Sequence, residues 1–231
     1  MPLRPKMSDE LKNLLNSVDH IKPIKKDTFL FSEGESADEL YLVKSGRIQI
    51  GKVSPEGREL TLRICHKDDI VGELSLYSEN VKYILNAKVI QDGEVAVIKK
   101  SELENEMINN SSLAIEFMKI MNEYYRRDQT KFRDLVLHGK KGALYSTLIR
   151  LSNSYGKKQN NGDIFIDIAL NNQQLANFGG TTRESVNRML NDLKRNNILS
   201  IKNGHIIIHN LQYLRNEINC ENCPVVLCSI H

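Results

Sequence analysis

The sequence contains no tryptophan, and none of its apolar runs approaches the roughly 20 residues a helix needs to cross a bilayer. Its opening residues, Met1-Pro2-Leu3-Arg4-Pro5-Lys6, are charged where a secretory signal is apolar, so the chain is expected to stay in the cytoplasm. Common enzyme signatures are missing as well: there is no Gly-x-x-x-x-Gly-Lys-Ser/Thr phosphate loop, no Gly-x-Ser-x-Gly nucleophile elbow and no His-Glu-x-x-His zinc motif. No catalytic residue is expected. The 231 residues, 40% of them apolar, suffice for one large domain or two modest ones with an ordinary core.

Cysteine is scarce, four residues in all, and unevenly spread. Cys65, between Ile64 and His66, reads as a small buried apolar residue. The other three form a Cys-x2-Cys-x4-Cys motif at Cys220, Cys223 and Cys228. In a reducing compartment such clusters are metal ligands or redox thiols more often than structural disulfides, and three thiols cannot all pair within one chain. Thiolates bind both zinc and iron–sulfur clusters, so the spacing alone leaves zinc, a 4Fe-4S cluster and a reversible disulfide open.

The net charge is only +3, but from 139 to 203 ten Lys/Arg face four Asp/Glu, an excess of six. That stretch is the expected surface for a polyanion. Its residue order is specific. Asn171 to Gly180 reads as a short helix with an Asn cap and a Gly stop, and Thr181 starts a second helix with Val186, Leu190 and Leu193 on its buried side. Two short helices joined at Gly179-Gly180 make a helix-turn-helix, and the extended segment 198–209, with Asn203-Gly204 at its tip, adds a wing. Thr181 and Glu184 also fit a capping box.

Upstream, a helix is expected around 8–18. Short strands follow at 28–31, 39–43, 47–53, 60–65 and 94–98, separated by turn signals such as Lys44-Ser45-Gly46 and Gln91-Asp92-Gly93. Residues 111–138 contain neither proline nor glycine. There Met118, Met121, Tyr125, Asp128, Phe132 and Leu135 form one seam, beside an apolar stripe of Leu113, Phe117, Ile120 and Tyr124. Two such faces call for two partners: one can pack on the strands upstream and the other can meet the same helix of a second copy.

The strings Tyr41-Leu42-Val43-Lys44-Ser45-Gly46-Arg47-Ile48, Gly57-Arg58-Glu59-Leu60 and Val71-Gly72-Glu73-Leu74 resemble the cyclic-nucleotide-binding β-roll of Crp/Fnr transcription regulators. That resemblance implies an α+β fold. It comprises a β-roll domain over 1–108, a dimerisation helix over 109–138, a winged helix-turn-helix DNA-binding domain over 139–213 and a cysteine-rich tail over 214–231. In members that bind cyclic AMP, Gly-Glu-Leu is followed by an Arg-Ser or Arg-Thr pair that holds the phosphate. Here 81–87 contain no arginine, so cyclic nucleotide is not an expected ligand.

Arg183, Glu184 and Arg188 resemble the recognition helix of the cyclic-AMP receptor branch. An arginine can bond guanine O6 and N7 and a glutamate can accept from cytosine N4, which implies a TGTGA-like inverted repeat in double-stranded DNA read by a homodimer. Thr182 and Asn187 complete the candidate DNA-contact set. The oxygen-sensing Fnr branch holds its cluster with cysteines near the N-terminus, which this sequence lacks. A C-terminal Cys-x2-Cys-x4-Cys resembles instead the Fnr proteins of Bacillus and its relatives, whose fourth ligand is an aspartate on the dimer helix. Asp134 stands at that place and is preferred to Cys65, His138 or His231, although as an ordinary helix carboxylate it would pair with Lys131 or Arg133. The implied protein is an anaerobic, oxygen-responsive regulator carrying a 4Fe-4S cluster on Cys220, Cys223, Cys228 and Asp134, with RNA polymerase as a partner. Zinc or thiol redox chemistry on the same scaffold is the alternative.

Overall fold

A computed structural model describes Leu11 and residues 20–230. The helix expected at 8–18 lies outside the described residues, Leu11 apart. The chain divides into two compact units, one holding most residues before Glu123 and the other Glu123–Ile230 together with Arg58–Thr61.

The first unit is an antiparallel sheet of six strands: β1 (Ile21–Ile24), β2 (Phe29–Phe31), β3 (Glu39–Val53), β4 (Glu59–Cys65), β5 (Ile70–Val71) and β6 (Asn86–Lys99). The main order is β1-β6-β3-β4, with β2 joined to β6 and β5 to β3. Alternating apolar residues of these strands, among them Val43, Ile48, Ile50, Val89, Val95 and Cys65, close one core. Helix α1 (Lys100–Asn109) follows.

Two of the expected turns are not turns. The segments 39–43 and 47–53 form one 15-residue strand, and 94–98 is the end of a 14-residue strand. Lys44-Ser45-Gly46 and Gln91-Asp92-Gly93 lie opposite each other, where the β3–β6 register shifts between Val43 and Ile48. Both glycines are needed for this paired bulge. A Cβ on Gly93 would stand 2.1 Å from the Ser45 carbonyl oxygen, and Gly46 has φ +84° with the Asp92 carbonyl 2.7 Å from its would-be Cβ.

Helix α2 (Ser111–Tyr155) is interrupted at Gly139, whose φ of 58° and ψ of −155° are non-helical. The expected end of the helix at 138 therefore coincides with a real break. Leu113, Phe117 and Ile120 are buried as expected. On the other seam Met118, Tyr125 and Phe132 are 61%, 64% and 69% exposed, an apolar row left uncovered among the described residues.

Beyond Gly139 the helix becomes the core of the second unit through Leu144, Leu148, Ile149 and Leu151. Around it lie β7 (Gly156–Lys158), β8 (Ile164–Ile166), helix α3 (Asn172–Phe178), helix α4 (Arg183–Arg195), β9 (Leu199–Lys202), β10 (His205–Ile208) and helix α5 (Leu211–Glu217). The four strands form one antiparallel sheet in the order β7-β8-β10-β9. The β9–β10 hairpin turns at Asn203 and Gly204, both with positive φ, which is the expected wing.

Candidate nucleic-acid interface and metal centre

Helix α3 begins with a full capping box. The Asn171 side chain accepts from the Gln174 amide and the Gln174 side chain accepts from the Asn171 amide, each at 2.9 Å. Helix α4 begins one residue later than the capping-box reading places it. Thr182, not Thr181, is the N-cap and accepts from the Ser185 amide at 3.3 Å. The Thr181 amide is already bonded to the Ala176 carbonyl, so that residue closes the preceding turn and Glu184 is not drawn into a cap. Val186, Leu190 and Leu193 are buried, whereas Thr182, Arg183, Glu184, Asn187 and Arg188 are exposed. Helix α4 thus presents guanidinium, carboxylate and amide groups to solvent from a fixed apolar base.

The basic surface is smaller than the charge count suggests. Arg150 is 2% exposed and belongs to the interior. Lys157 pairs with Asp167 at 2.6 Å, and Lys141 pairs with Glu217. Arg183, Arg188, Lys140, Lys158, Lys194 and Lys202 stay exposed.

The tail is placed by the end of α5. Asn219 has φ 45°, its amide bonds the Asn216 carbonyl at 3.1 Å and the Cys220 amide bonds the Arg215 carbonyl at 2.9 Å. This is a Schellman closure, and it fixes the backbone of Cys220. The thiol borders a polar cleft of about 300 Å³ shared with Arg215, Asn216, Asn219 and Asn222. Cys223 and Cys228 are half-buried. After Pro224 a turn forms, in which the Pro224 carbonyl accepts from the amides of Leu227 and Cys228.

Three consecutive tail carbonyls are then held by side chains of α2. Arg127 donates to Val226 at 3.3 Å, Arg150 to Leu227 at 2.9 Å and Asn153 to Cys228 at 2.7 Å. The Ile230 amide donates to Ser154 Oγ at 2.9 Å. Leu227 and Ile230 are buried, whereas Val225 is 47% exposed.

Asp134 lies at the centre of this latch and is 5% exposed. Oδ2 accepts from Ser146 Oγ at 2.5 Å and Arg150 Nη2 at 2.9 Å. Oδ1 accepts from Arg133 Nε at 3.1 Å and Nη2 at 2.8 Å. Burial pushes the carboxyl pKa up, but the Ser146, Arg133 and Arg150 donors outweigh it and hold Asp134 below its ordinary value. The partner expected for Asp134 included Lys131, which turns instead to Asp128 at 3.7 Å.

Burial raises the Cys228 thiol above its usual range. Arg150 opposes this, and Cys220, Cys223 and Asp134 add to it. Arg133, bonded to Asp134, lies 3.9 Å from Cys223 Sγ, so one guanidinium joins that thiol to the carboxylate. Among the described residues, no three Cys, His, Asp or Glu side chains are grouped closely enough to hold an ion as they stand. Three thiols and a carboxylate fit an S3O centre in their chemistry, and closing one would require their side chains to move together. Cys65 sits in the core of the first unit, 1% exposed, and His231 lies outside the described residues.

Arg150, which braces Asp134 and the tail, is the residue missed by a reading of spacing. Its signal was a lone arginine within the apolar stretch Ala143–Leu151, a position a cation seldom occupies unpaired.

In the nucleotide-type turn of the first unit, Glu73 is 8% exposed and bonded to Arg63 at 2.6 Å. Tyr83 stacks on Phe31 with centroids 3.7 Å apart and donates to the Glu39 carbonyl at 2.6 Å. Its ring edge lies 3.4 Å from where a Gly72 Cβ would be. The protein's own side chains thus engage Glu73 and fill the space beside Gly72.

Comparison with known proteins gives two family matches, the cyclic nucleotide-binding domain over 21–110 and the Crp-like helix-turn-helix domain over 142–217. The chain is 54% identical to the anaerobic regulatory protein of Bacillus subtilis, covering 100% of this chain and 98% of that one. It is 25% identical to the CRP-like cAMP-activated global transcriptional regulator of Mycobacterium tuberculosis, over 80% and 82% of the two chains. The solved structure of the c-di-GMP responsive global regulator CLP of Xanthomonas campestris shares the fold, with a TM-score of 0.75 at 20% identity over 87% of this chain and 99% of that one.

Proposed function

The chain belongs to the Crp/Fnr family of DNA-binding transcription regulators, not enzymes, and from that premise we propose that it is a cytoplasmic, homodimeric, oxygen-responsive regulator of the anaerobic type. One observation carries the reading: the cysteine tail is docked against Asp134, because Arg133 bonds Asp134 and lies 3.9 Å from Cys223 Sγ, and Arg150 bonds both Asp134 and the carbonyl of Leu227, the residue before Cys228. Those four residues would hold a 4Fe-4S cluster, which when bound supplies an oxygen-labile cross-link between tail and helix. The Bacillus subtilis relative, named an anaerobic regulatory protein, supports the anaerobic part of this reading.

The chain's own residues explain how such a link would reach DNA. Asp134 lies before the Gly139 break and the tail is latched to Thr130, Arg150 and Asn153 on both sides of it. A bond between tail and Asp134 would fix the angle across Gly139, and with it α4. The exposed row of Met118, Tyr125 and Phe132 supplies the face for the same helix of a second copy, giving a symmetric dimer that reads a TGTGA-like inverted repeat. RNA polymerase is the protein partner of such a complex.

The test is purification without oxygen. Brown protein with stoichiometric iron and sulfide, whose affinity for an inverted-repeat duplex falls on exposure to air, is the expected result. Colourless protein with stoichiometric zinc would favour the zinc-bound reading, and equal DNA affinity before and after air would overturn oxygen control.

Arg183→Ala is expected to weaken binding to the matched site by about 1–3 kcal/mol and to relax discrimination at one guanine. Titrations with duplexes changed at that base measure this at fixed salt. Equal weakening on matched and random DNA would make Arg183 a phosphate contact.

A further inference from the structure

We propose that Arg133 is a gate on the metal centre, a cation that holds Asp134 and Cys223 and must be displaced before metal can bind them. The inference rests on the assignment of those two residues as ligands. A carboxylate offers about four lone-pair directions, and here Asp134 uses all four, two for Arg133 and one each for Ser146 and Arg150. A metal bond at Asp134 therefore requires a donor to leave.

Ser146 and Arg150 are 5% and 2% exposed. Arg150 also holds Thr130 Oγ1 at 3.0 Å and the Leu227 carbonyl at 2.9 Å, so its departure would undo the latch that places Cys228. The Arg133 side chain is 29% exposed, and its Nη1 already bonds Glu221, which is 62% exposed. Arg133 alone among the three donors has somewhere to go. The same guanidinium lies 3.9 Å from Cys223 Sγ through both Nη1 and Nη2, so one cation covers a thiol and a carboxylate at once. Its departure exchanges two N–H bonds on Oδ1 for one metal bond and removes a positive charge from the path of an incoming cation.

Titration of the reduced, metal-free full chain with Co²⁺, followed by thiolate-to-cobalt absorption, tests this. Arg133→Ala should bind Co²⁺ about tenfold more tightly than the parent chain, the low end of what a charge-assisted hydrogen bond is worth. Arg133→Lys keeps the charge without the two-pronged donor and should fall between the two. Unchanged affinity in Arg133→Ala overturns the gate, and weaker affinity overturns it in favour of a cation that helps hold the thiolates. Asp134→Ala and Cys223→Ser serve as the control on the ligand assignment. If both weaken Co²⁺ binding and Arg133→Ala does not strengthen it, the gate alone is wrong. If neither weakens it, the assignment has failed and the gate falls with it.

Discussion

Replacing Arg150 with methionine should destabilise the metal-free protein by about 3 kcal/mol, near the lower end of the cost of breaking a buried ion pair. Four of the five N–H groups of Arg150 are used, on Ser146, Thr130, Asp134 and the Leu227 carbonyl. Side-chain exposures of 3% for Arg150 and 7% for Asp134 mean that neither charge can turn to water. Arg133 remains on Oδ1 of Asp134, which keeps the cost from reaching the upper end. Urea unfolding of metal-free protein measures the loss. Hydrogen exchange should show the Cys228 and Ile230 amides, now bonded to Pro224 and Ser154, becoming exposed first. The pair Arg150→Met with Asp134→Leu should recover most of the stability, because two apolar side chains remove both buried charges together. A single variant within 1 kcal/mol of the parent would show that the tail is held without Arg150.

The helix-turn-helix was legible because its signals are local. Asn171 and Gln174 cap one helix, Val186, Leu190 and Leu193 line the next, and Asn203-Gly204 turns the wing. The long strands were not, since Lys44-Ser45-Gly46 and Gln91-Asp92-Gly93 each read as a turn alone and become a bulge only when paired across β3 and β6. Counting charge along the sequence put Arg150 on the DNA-facing surface because a count carries no burial. The environment of Asp134 was half legible. Arg133 is its neighbour in sequence, but Ser146 and Arg150 lie 12 and 16 residues on, beyond the Gly139 break, across which helical spacing carries no register. The cysteine motif pointed to soft-metal chemistry, and only the fold reveals that Arg127, Arg150 and Asn153 hold the backbone of 226–228.

That backbone latch separates two effects that Cys223→Ser would otherwise confuse. Cys223 makes none of the carbonyl contacts on Val226, Leu227 and Cys228, so the variant should keep its fold and its docked tail. It should lose iron and sulfide under anaerobic purification, and its affinity for an inverted-repeat duplex should fall by about a thousandfold or more, towards the non-specific value. Fluorescence anisotropy at one salt concentration measures this, because phosphate contacts alone shift affinity steeply with salt. The anaerobic parent protein binds tightly on this reading, and the air-exposed parent should match the variant. A zinc-bound regulator would lose DNA binding in the variant and keep it in air. A thiol-redox regulator would lose it in air and regain it with reductant alone, without iron. Oxygen control through a cluster requires that iron, sulfide and reductant all be supplied, and a parent protein restored by reductant in the absence of iron would refute it.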